Sequence, residues 1–559
     1  MDSGLIKGYS KANSRVYIFI LILLVLIGTY FRVWNLGLSS YWVDEVNSVF
    51  AAESLLENGD MALPSGMIYT RARLHTLITA LFFYFFDINE TTSRAVSAVF
   101  GILSIIMVYV LAKKIFNRKV GLMASFLVSF SHFEVGWCRV TRMYTLLQFL
   151  SIVIILLFIK GFEGESNKWN NLDLSNTKRG VLHNLFSFFR NKGISVSWII
   201  VCIMCIGIVY FYVHSLIVFL AIGLVLYLMT MTVITLFSKE DSRGEFYKYL
   251  FASILTVFAA LVVWFLMPGI RELTTNYLSY IPPWAAGTSM AKNPLYLFEF
   301  LISPFKFPIA AFFFIGSIQA LVRRDRLAII LICIFITPLF FLSFVFSHRS
   351  QTYIYYVYPF FLILASYGFV NIVEGEWNFL KNSLLFSKSK LLKSGLYLMF
   401  FTIFLISPWF RVVFHIPDSG DGVTNFAVTT DEWRKASEIL KNNKKEDDLV
   451  ISSLPQVLMF YKVKSDYTLN MAALKRSERN DFKDSIGRWR DVYSGTVCIE
   501  SLDELKKIIE NNAAGWIAVS KYHLEHDNYI PEDVREFLME FFKDYIKTNR
   551  GTIFIFHWS

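Results

Sequence analysis

Long apolar runs recur along this chain, and they restrict what it can fold into more than any other feature. One run of 18 or more apolar residues is long enough to cross a bilayer as a helix, at about 1.5 Å per residue. Here such runs follow one another from Val16 to Trp34 and again near 94–112, 120–138, 143–160, 196–213, 215–237, 249–267, 304–322, 327–346, 353–373 and 395–412. With 55% hydrophobic and 18% charged residues in 559, the chain is too apolar for a soluble protein of this length. The expectation is an α-helical polytopic membrane protein.

Charge then orders the runs. Lys7, Lys11 and Arg15 precede the first one, which is read as a retained helix with a cytoplasmic N-terminus. The run Leu74 to Phe86 has only 13 residues. If it crossed, the basic cluster Lys113 to Lys119 would lie outside, against the positive-inside bias, so it is expected at the membrane surface. Val46 to Leu56 has apolar residues at helical spacing and is expected as a second, amphipathic surface helix that roofs the loop before it. Eleven crossings and two juxtamembrane helices follow. The net charge of +10 lies in short clusters between apolar runs, where it sets orientation, so nucleic acid is excluded as a partner. The five cysteines are scattered, and Cys202 and Cys205 lie within an apolar run, so packing is expected of them rather than redox or metal chemistry.

From about His415 the composition becomes that of a soluble domain. Asp448 to Ser453 and Gly515 to Ser520 read as strands, Pro455 to Tyr461 and Leu502 to Asn511 as helices. The division expected is a membrane domain over 1–414, with an outer loop at 37–93, and a C-terminal α/β domain over 415–559 on the exoplasmic side.

Within the outer loop, Asp44 and Glu45 follow the first crossing closely. A carboxylate at the membrane surface can meet both a lipid-borne donor and a water-borne acceptor. Cations gather at the same face: Arg71, Arg73, Arg94, Arg139, Arg142 and Arg349, with His75, His214 and His348. Because orientation rules disfavour cations there, an anionic ligand is the common reason for the set. Tyr41, Trp42, Tyr144 and Trp284 are placed to stack on a sugar or line a lipid groove, as an interfacial aromatic belt also would.

Leu38-Ser39-Ser40-Tyr41-Trp42-Val43-Asp44-Glu45 resembles the "SLWxDE" signature of the GT-C membrane glycosyltransferases, the group of the protein O-mannosyltransferases and the lipid A aminoarabinose transferase. Arg94 to Gly101 is similar to that group's "RlpSAlfG", Arg139 to Leu147 to "sReaRpYaLl", and Arg349 to Pro359 to "RYllpllP"; His214 sits where relatives carry a histidine. The chain departs at Arg71-Ala72-Arg73-Leu74-His75, where the group has "KPPLY" or "HPPL"; without the prolines, the phosphate-binding cation is either Arg71 or Arg73.

The resemblance implies the GT-C fold and transfer of a sugar from a polyprenyl-phosphate donor to a hydroxyl of a glycan, lipid or protein acceptor, by direct and so inverting displacement. It implies Asp44 as general base, with Glu45 orienting the acceptor or sharing the proton. Arg71 or Arg73, Arg139, Arg142 and Arg349 would bind the donor phosphate, and Trp42, His75, Arg94, Tyr144 and His214 the rest of the substrate. The lipid phosphate is the only cofactor-like partner expected. A divalent metal beside Asp44 stays unassigned, since no second Asp-x-Asp appears on an outer loop. The competing function is a transporter or flippase of a lipid-linked sugar, which favours internal repeats and polar residues at mid-membrane; neither is seen in this sequence.

Overall fold

A computed structural model describes residues 3–164, 194–237, 243–266, 281, 289–303, 307–374, 394–400, 402 and 431–559, with side chains from residue 15 onward. The expected crossing at 395–412 and Trp284 lie largely or wholly outside the described residues. Seven described helices are long and apolar enough to cross a membrane. They run over Arg15–Val33, Glu90–Ile115, Tyr144–Glu163, Ile217–Leu236, Arg243–Val262, Arg326–Val345 and Gln351–Val373. Tyr296–Ile302 and Phe307–Val322 form a further pair bent by 100°, and Val196–Tyr212 is a shorter apolar helix.

The chain enters through α1 (Ser3–Val33), then α2 (Val43–Glu57), α3 (Arg73–Phe85) and α4 (Glu90–Ile115). The run expected as a single crossing at 120–138 is instead two helices, α5 (Arg118–Phe130) and α6 (His132–Cys138), before α7 (Tyr144–Phe158). Its apolar composition is continuous, but Ser131 takes an extended backbone and its side chain caps α6 by accepting from Glu134 N, at 3.4 Å. Phe307–Val322 crosses Tyr358–Val373 at Gly316 and Gly368, where a Cβ on either glycine would strike the other helix's backbone. Such close approach is how apolar helices gain contact in lipid.

Basic loops meet at the end of the bundle away from α2. Lys119 pairs with Glu374 at 2.7 Å, Lys248 donates to Phe162 O at 2.6 Å, and Arg326 pairs with Glu245.

At the other end stands the C-terminal domain. Its six strands are β1 (Leu449–Ser452), β2 (Tyr467–Thr468), β3 (Val497–Cys498), β4 (Gly515–Ser520), β5 (Tyr545–Lys547) and β6 (Ile553–Trp558), in the order β3-β2-β1-β4-β6-β5. Helices Pro455–Phe460, Met471–Arg479 and Leu502–Glu510 join the first four strands, which are parallel, as parallel pairing requires. The two last strands are antiparallel.

α2 was expected as an amphipathic helix on the membrane surface that roofs the loop before it; it packs against the C-terminal domain. Val46, Val49 and Ala52 share one core with Trp433, Val450, Leu458 and Trp516 of the C-terminal domain. The apolar stripe of α2 therefore fixes that domain to the bundle, and α2 carries the acidic pair instead of covering it.

Candidate active site

Trp42 precedes α2, and Asp44 and Glu45 occupy its first turn, where the helix dipole favours acids. Glu45 reaches back to accept from Trp42 N at 3.1 Å, the reciprocal half of a capping box. Its Oε1 and Oε2 each accept from Arg94, both at 2.9 Å, and Oε1 also accepts from Thr141 N at 2.8 Å. Arg94 spends its other N–H groups on Leu36 O, Ser39 O and Ser40 O. With both side chains fully buried, this pair ties the loop before α2 to α4 and to the turn before α7. Four N–H groups fill the Glu45 carboxylate, so Glu45 holds the loop in shape.

Asp44, one residue earlier, turns to the other side of α2 and keeps 31% of its side chain exposed. Arg142 Nη2 lies 3.5 Å from Asp44 Oδ2, and Arg142 Nη1 donates to Asp44 O at 3.2 Å and to Tyr69 Oη at 3.1 Å. Burial opposes the Arg142 charge, but Asp44, Tyr69 and Tyr144 outweigh it and hold the guanidinium above its ordinary range. Tyr144 offers its ring to Arg142 at 5.8 Å and lies 6.0 Å from the His214 ring. Burial, with the charges of Arg142 and Arg71, pushes His214 down to about 3, so it is neutral at neutral pH. His75 Nε2 is 3.3 Å from Ser97 Oγ, which donates to Arg142 O at 3.0 Å.

Arg71 is exposed and makes no hydrogen bond or ion pair among the described residues; Tyr493, Tyr69, Asp44 and Arg142 are its electrostatic neighbours. Ala72 after it has φ 52°, a left-handed turn in the place where the family prolines stand. Arg73 is exposed at the first position of α3. The remaining sequence candidates are engaged elsewhere. Arg139 donates to Trp34 O at 2.7 Å and Asn35 O at 3.1 Å, closing the end of α1. Arg349 donates to Ser343 O at 2.9 Å and Ala291 O at 2.7 Å, and no described contact joins it to Asp44 or Arg142. Trp42 is half-buried at the start of α2.

Sequence reasoning gave the C-terminal domain no part in the site, yet it grips the outer loop at two places. Tyr461 Oη accepts from Tyr41 N at 2.9 Å and donates to Glu90 at 2.6 Å, while Arg434 donates to Gly37 O at 2.9 Å and pairs with Glu90. On the other side, Ser65 N donates to Tyr493 O at 3.2 Å, and Gly495 (φ +77°) lets the two backbones meet: a Cβ there would lie 3.0 Å from Ser65 Cα. Tyr493 packs against the small core of Ala51, Leu63 and Tyr69, the last hydrogen-bonded to Arg142. No local motif marks Tyr69, Arg434, Tyr461 or Tyr493, because these contacts join positions from 73 to more than 400 residues apart.

The sequence profile described as dolichyl-phosphate-mannose-protein mannosyltransferase matches residues 71–174, from Arg71 through Arg142 and Tyr144. No curated protein sequence matches the chain. Among solved structures, apo ArnT from Cupriavidus metallidurans superposes with a TM-score of 0.56 at 12% identity, over 98% of each chain. The same protein bound to undecaprenyl phosphate gives a TM-score of 0.51 at 12% identity, over 98% of each chain. The archaeal oligosaccharyltransferase AglB from Archaeoglobus fulgidus, in complex with an inhibitory peptide and a dolichol-phosphate, gives 0.51 at 11% identity, over 97% of this chain and 74% of that one. At these identities the likeness is one of fold, and it extends through the C-terminal domain: this is a multi-pass membrane protein with the GT-C fold.

Proposed function

We propose that the chain is a membrane glycosyltransferase that moves a sugar from a polyprenyl-phosphate donor to an acceptor hydroxyl at the exoplasmic face. The observation that carries this reading is the Asp44–Arg142 pair: a carboxylate open to solvent, held 3.5 Å from a buried guanidinium whose other side-chain contacts among the described residues are to Tyr69 and Tyr144. The lipid phosphates bound to ArnT and AglB support the donor class.

In the reaction, Asp44 takes the proton from the acceptor hydroxyl as its oxygen attacks the anomeric carbon. The bond from that carbon to the phosphate oxygen breaks, and its electron pair stays on the phosphate. Arg142 and Arg71 stabilise the charge growing there, where arginine keeps its charge at any working pH and pairs with two oxygens at once. One displacement inverts the anomeric centre. Glu45 and Arg94 hold Asp44 in place without touching substrate. General-base help of this kind is worth about 10²–10⁴-fold.

The test is Asp44→Asn in purified full-length protein supplied with a polyprenyl-phosphate sugar. Turnover should fall at least 100-fold while binding of the lipid phosphate stays within about threefold; parent-like turnover removes Asp44 as the base. The side is tested separately with an impermeant thiol reagent, which should reach Glu446→Cys from outside and Lys113→Cys only after the membrane is opened.

A further inference from the structure

Helix Met471–Arg479 begins at Asn470, whose side chain accepts from Ala472 N at 3.0 Å and Ala473 N at 3.1 Å, and it buries Ala472, Ala473 and Ser477. Arg476 stands at the edge of that buried face with 35% of its side chain exposed. Two contacts fix its direction. The guanidinium carbon lies 4.4 Å from the Tyr493 ring centroid, and Nη1 lies 3.8 Å from Asp491 Oδ1. Asp491 is itself held, accepting from Ser494 N at 3.0 Å and Ser494 Oγ at 2.7 Å. Tyr493 packs against the small core of Ala51, Leu63 and Tyr69, and its carbonyl accepts from Ser65 N at 3.2 Å, so the Arg476–Tyr493 stack is seated on the loop whose Tyr69 accepts from Arg142, the partner of Asp44.

Charge converges at the same place. Arg476 stands in the field of Asp44 and Arg71, and Tyr529, whose carbonyl accepts from Met471 N at 2.8 Å, stands in the field of Arg476 and Asp44. Arg71, Arg142 and Arg476 thus all stand in the field of Asp44, and Arg476 in that of Asp491 as well, while His214 is neutral. In the proposed reaction the lipid donor's phosphate meets Arg142, which is buried. Arg476 belongs to the C-terminal domain, whereas Asp44 lies in α2 and Arg142 in the turn before α7.

We infer that Arg476, stacked on Tyr493, is an acceptor-binding residue of the Asp44 site, and that the acceptor it selects carries an anionic group, a carboxylate or a phosphate, near the hydroxyl that reacts. This rests on the glycosyltransferase reading and adds the acceptor's chemical class to it. The C-terminal domain then supplies one wall of the site, and its double grip on the loop at 37–70 keeps that wall in register with Asp44. A planar, stacked guanidinium binds carboxylate or phosphate through two parallel hydrogen bonds, which a lysine cannot copy.

The test uses full-length protein in lipid nanodiscs and measures binding of undecaprenyl phosphate, glucuronate, glucose 6-phosphate and neutral glucose to the parent, Arg476→Gln, Arg476→Lys and Arg142→Gln. The parent should bind undecaprenyl phosphate and at least one anionic sugar, and glucose at least tenfold more weakly. Which anionic sugar binds separates carboxylate from phosphate. Arg476→Gln should weaken the anionic sugar at least tenfold and leave undecaprenyl phosphate within twofold, Arg476→Lys should recover part of the loss, and Arg142→Gln should show the reverse preference. Equal weakening of undecaprenyl phosphate by Arg476→Gln would assign Arg476 to the donor and overturn the proposal, as would a parent that does not prefer anionic sugars. If Arg476→Gln and Arg476→Lys both lose every ligand together with their melting transition, Arg476 is a packing residue and the proposal falls. A parent that binds anionic sugars but no undecaprenyl phosphate would instead sink the glycosyltransferase reading.

Discussion

Arg94 meets both oxygens of Glu45 at 2.9 Å, and neither side chain reaches solvent, whereas the adjacent Asp44 keeps 31% of its side chain exposed. Two neighbouring acids of one motif thus differ in setting: Glu45 is locked in a buried pair and Asp44 stays open to solvent. Removing one partner of a buried pair strands the other charge, at a cost of about 3–5 kcal/mol. Glu45→Gln and Arg94→Ala are therefore expected to lower the melting temperature and the yield of monodisperse protein, while Asp44→Asn melts like the parent and loses turnover. Parent-like melting of both Glu45→Gln and Arg94→Ala would show that the pair does not hold the loop.

Arg142 and Arg349 should likewise separate. Each charge-assisted contact to a donor phosphate is worth about 1.5–3 kcal/mol, roughly 10- to 150-fold in affinity. Because Arg142 sits 3.5 Å from Asp44, beside the breaking bond in the proposed reaction, Arg142→Ala is expected to lower kcat as well as raise KM. Arg349 gives its N–H groups to Ser343 O and Ala291 O, so Arg349→Ala is expected to lower thermal stability and change KM for the donor less than threefold. Steady-state kinetics with a short-chain polyprenyl donor decide between them. A tenfold rise in KM for Arg349→Ala with unchanged melting would return Arg349 to the phosphate.

What could be read from the sequence was what is local. Asp44, Glu45 and the segments at Arg94 and Arg142 carry a resemblance within a few residues each, and the strands Leu449–Ser452 and Gly515–Ser520 stand out as short apolar runs bounded by polar residues. The helical spacing of apolar residues in α2 pointed to one buried face, whereas Asn47, Ser48 and Ala51 are buried as well, and such spacing does not say against what, since a membrane and a protein core leave the same stripe. The break at Ser131 was hidden for a related reason: the apolar run continues through it, and one capping serine redirects the chain. Arg476 was the least visible. A basic residue on an amphipathic helix of a soluble domain looks like any solvated cation until the fold brings Tyr493 beneath it.

The final prediction concerns pH and the C-terminal domain, where His523 is buried against Tyr529 with ring centroids 4.3 Å apart. Its backbone N donates to Ser520 Oγ at 3.1 Å, and Nδ1 has no hydrogen-bond partner among the described residues. Burial, with His526 nearby, pushes the imidazole down to about 3. An unfolded histidine titrates near 6.5, so between about pH 6.5 and 3 the unfolded chain binds a proton that the folded domain refuses. Stability from this group is complete above pH 6.5 and falls as the solution is acidified, by about 2 kcal/mol between pH 7 and pH 5. Tyr529 belongs to the same aromatic stack and stands in the field of Arg476 and Asp44, so acid should loosen the wall of the site before it loosens the bundle. Amide exchange in the segment around 515–530 is expected to accelerate roughly 30-fold between pH 7 and pH 5, after correction for intrinsic rates, in the parent. In His523→Phe the acceleration should be mostly absent, and equal acceleration in both proteins would show that other groups carry the acid response.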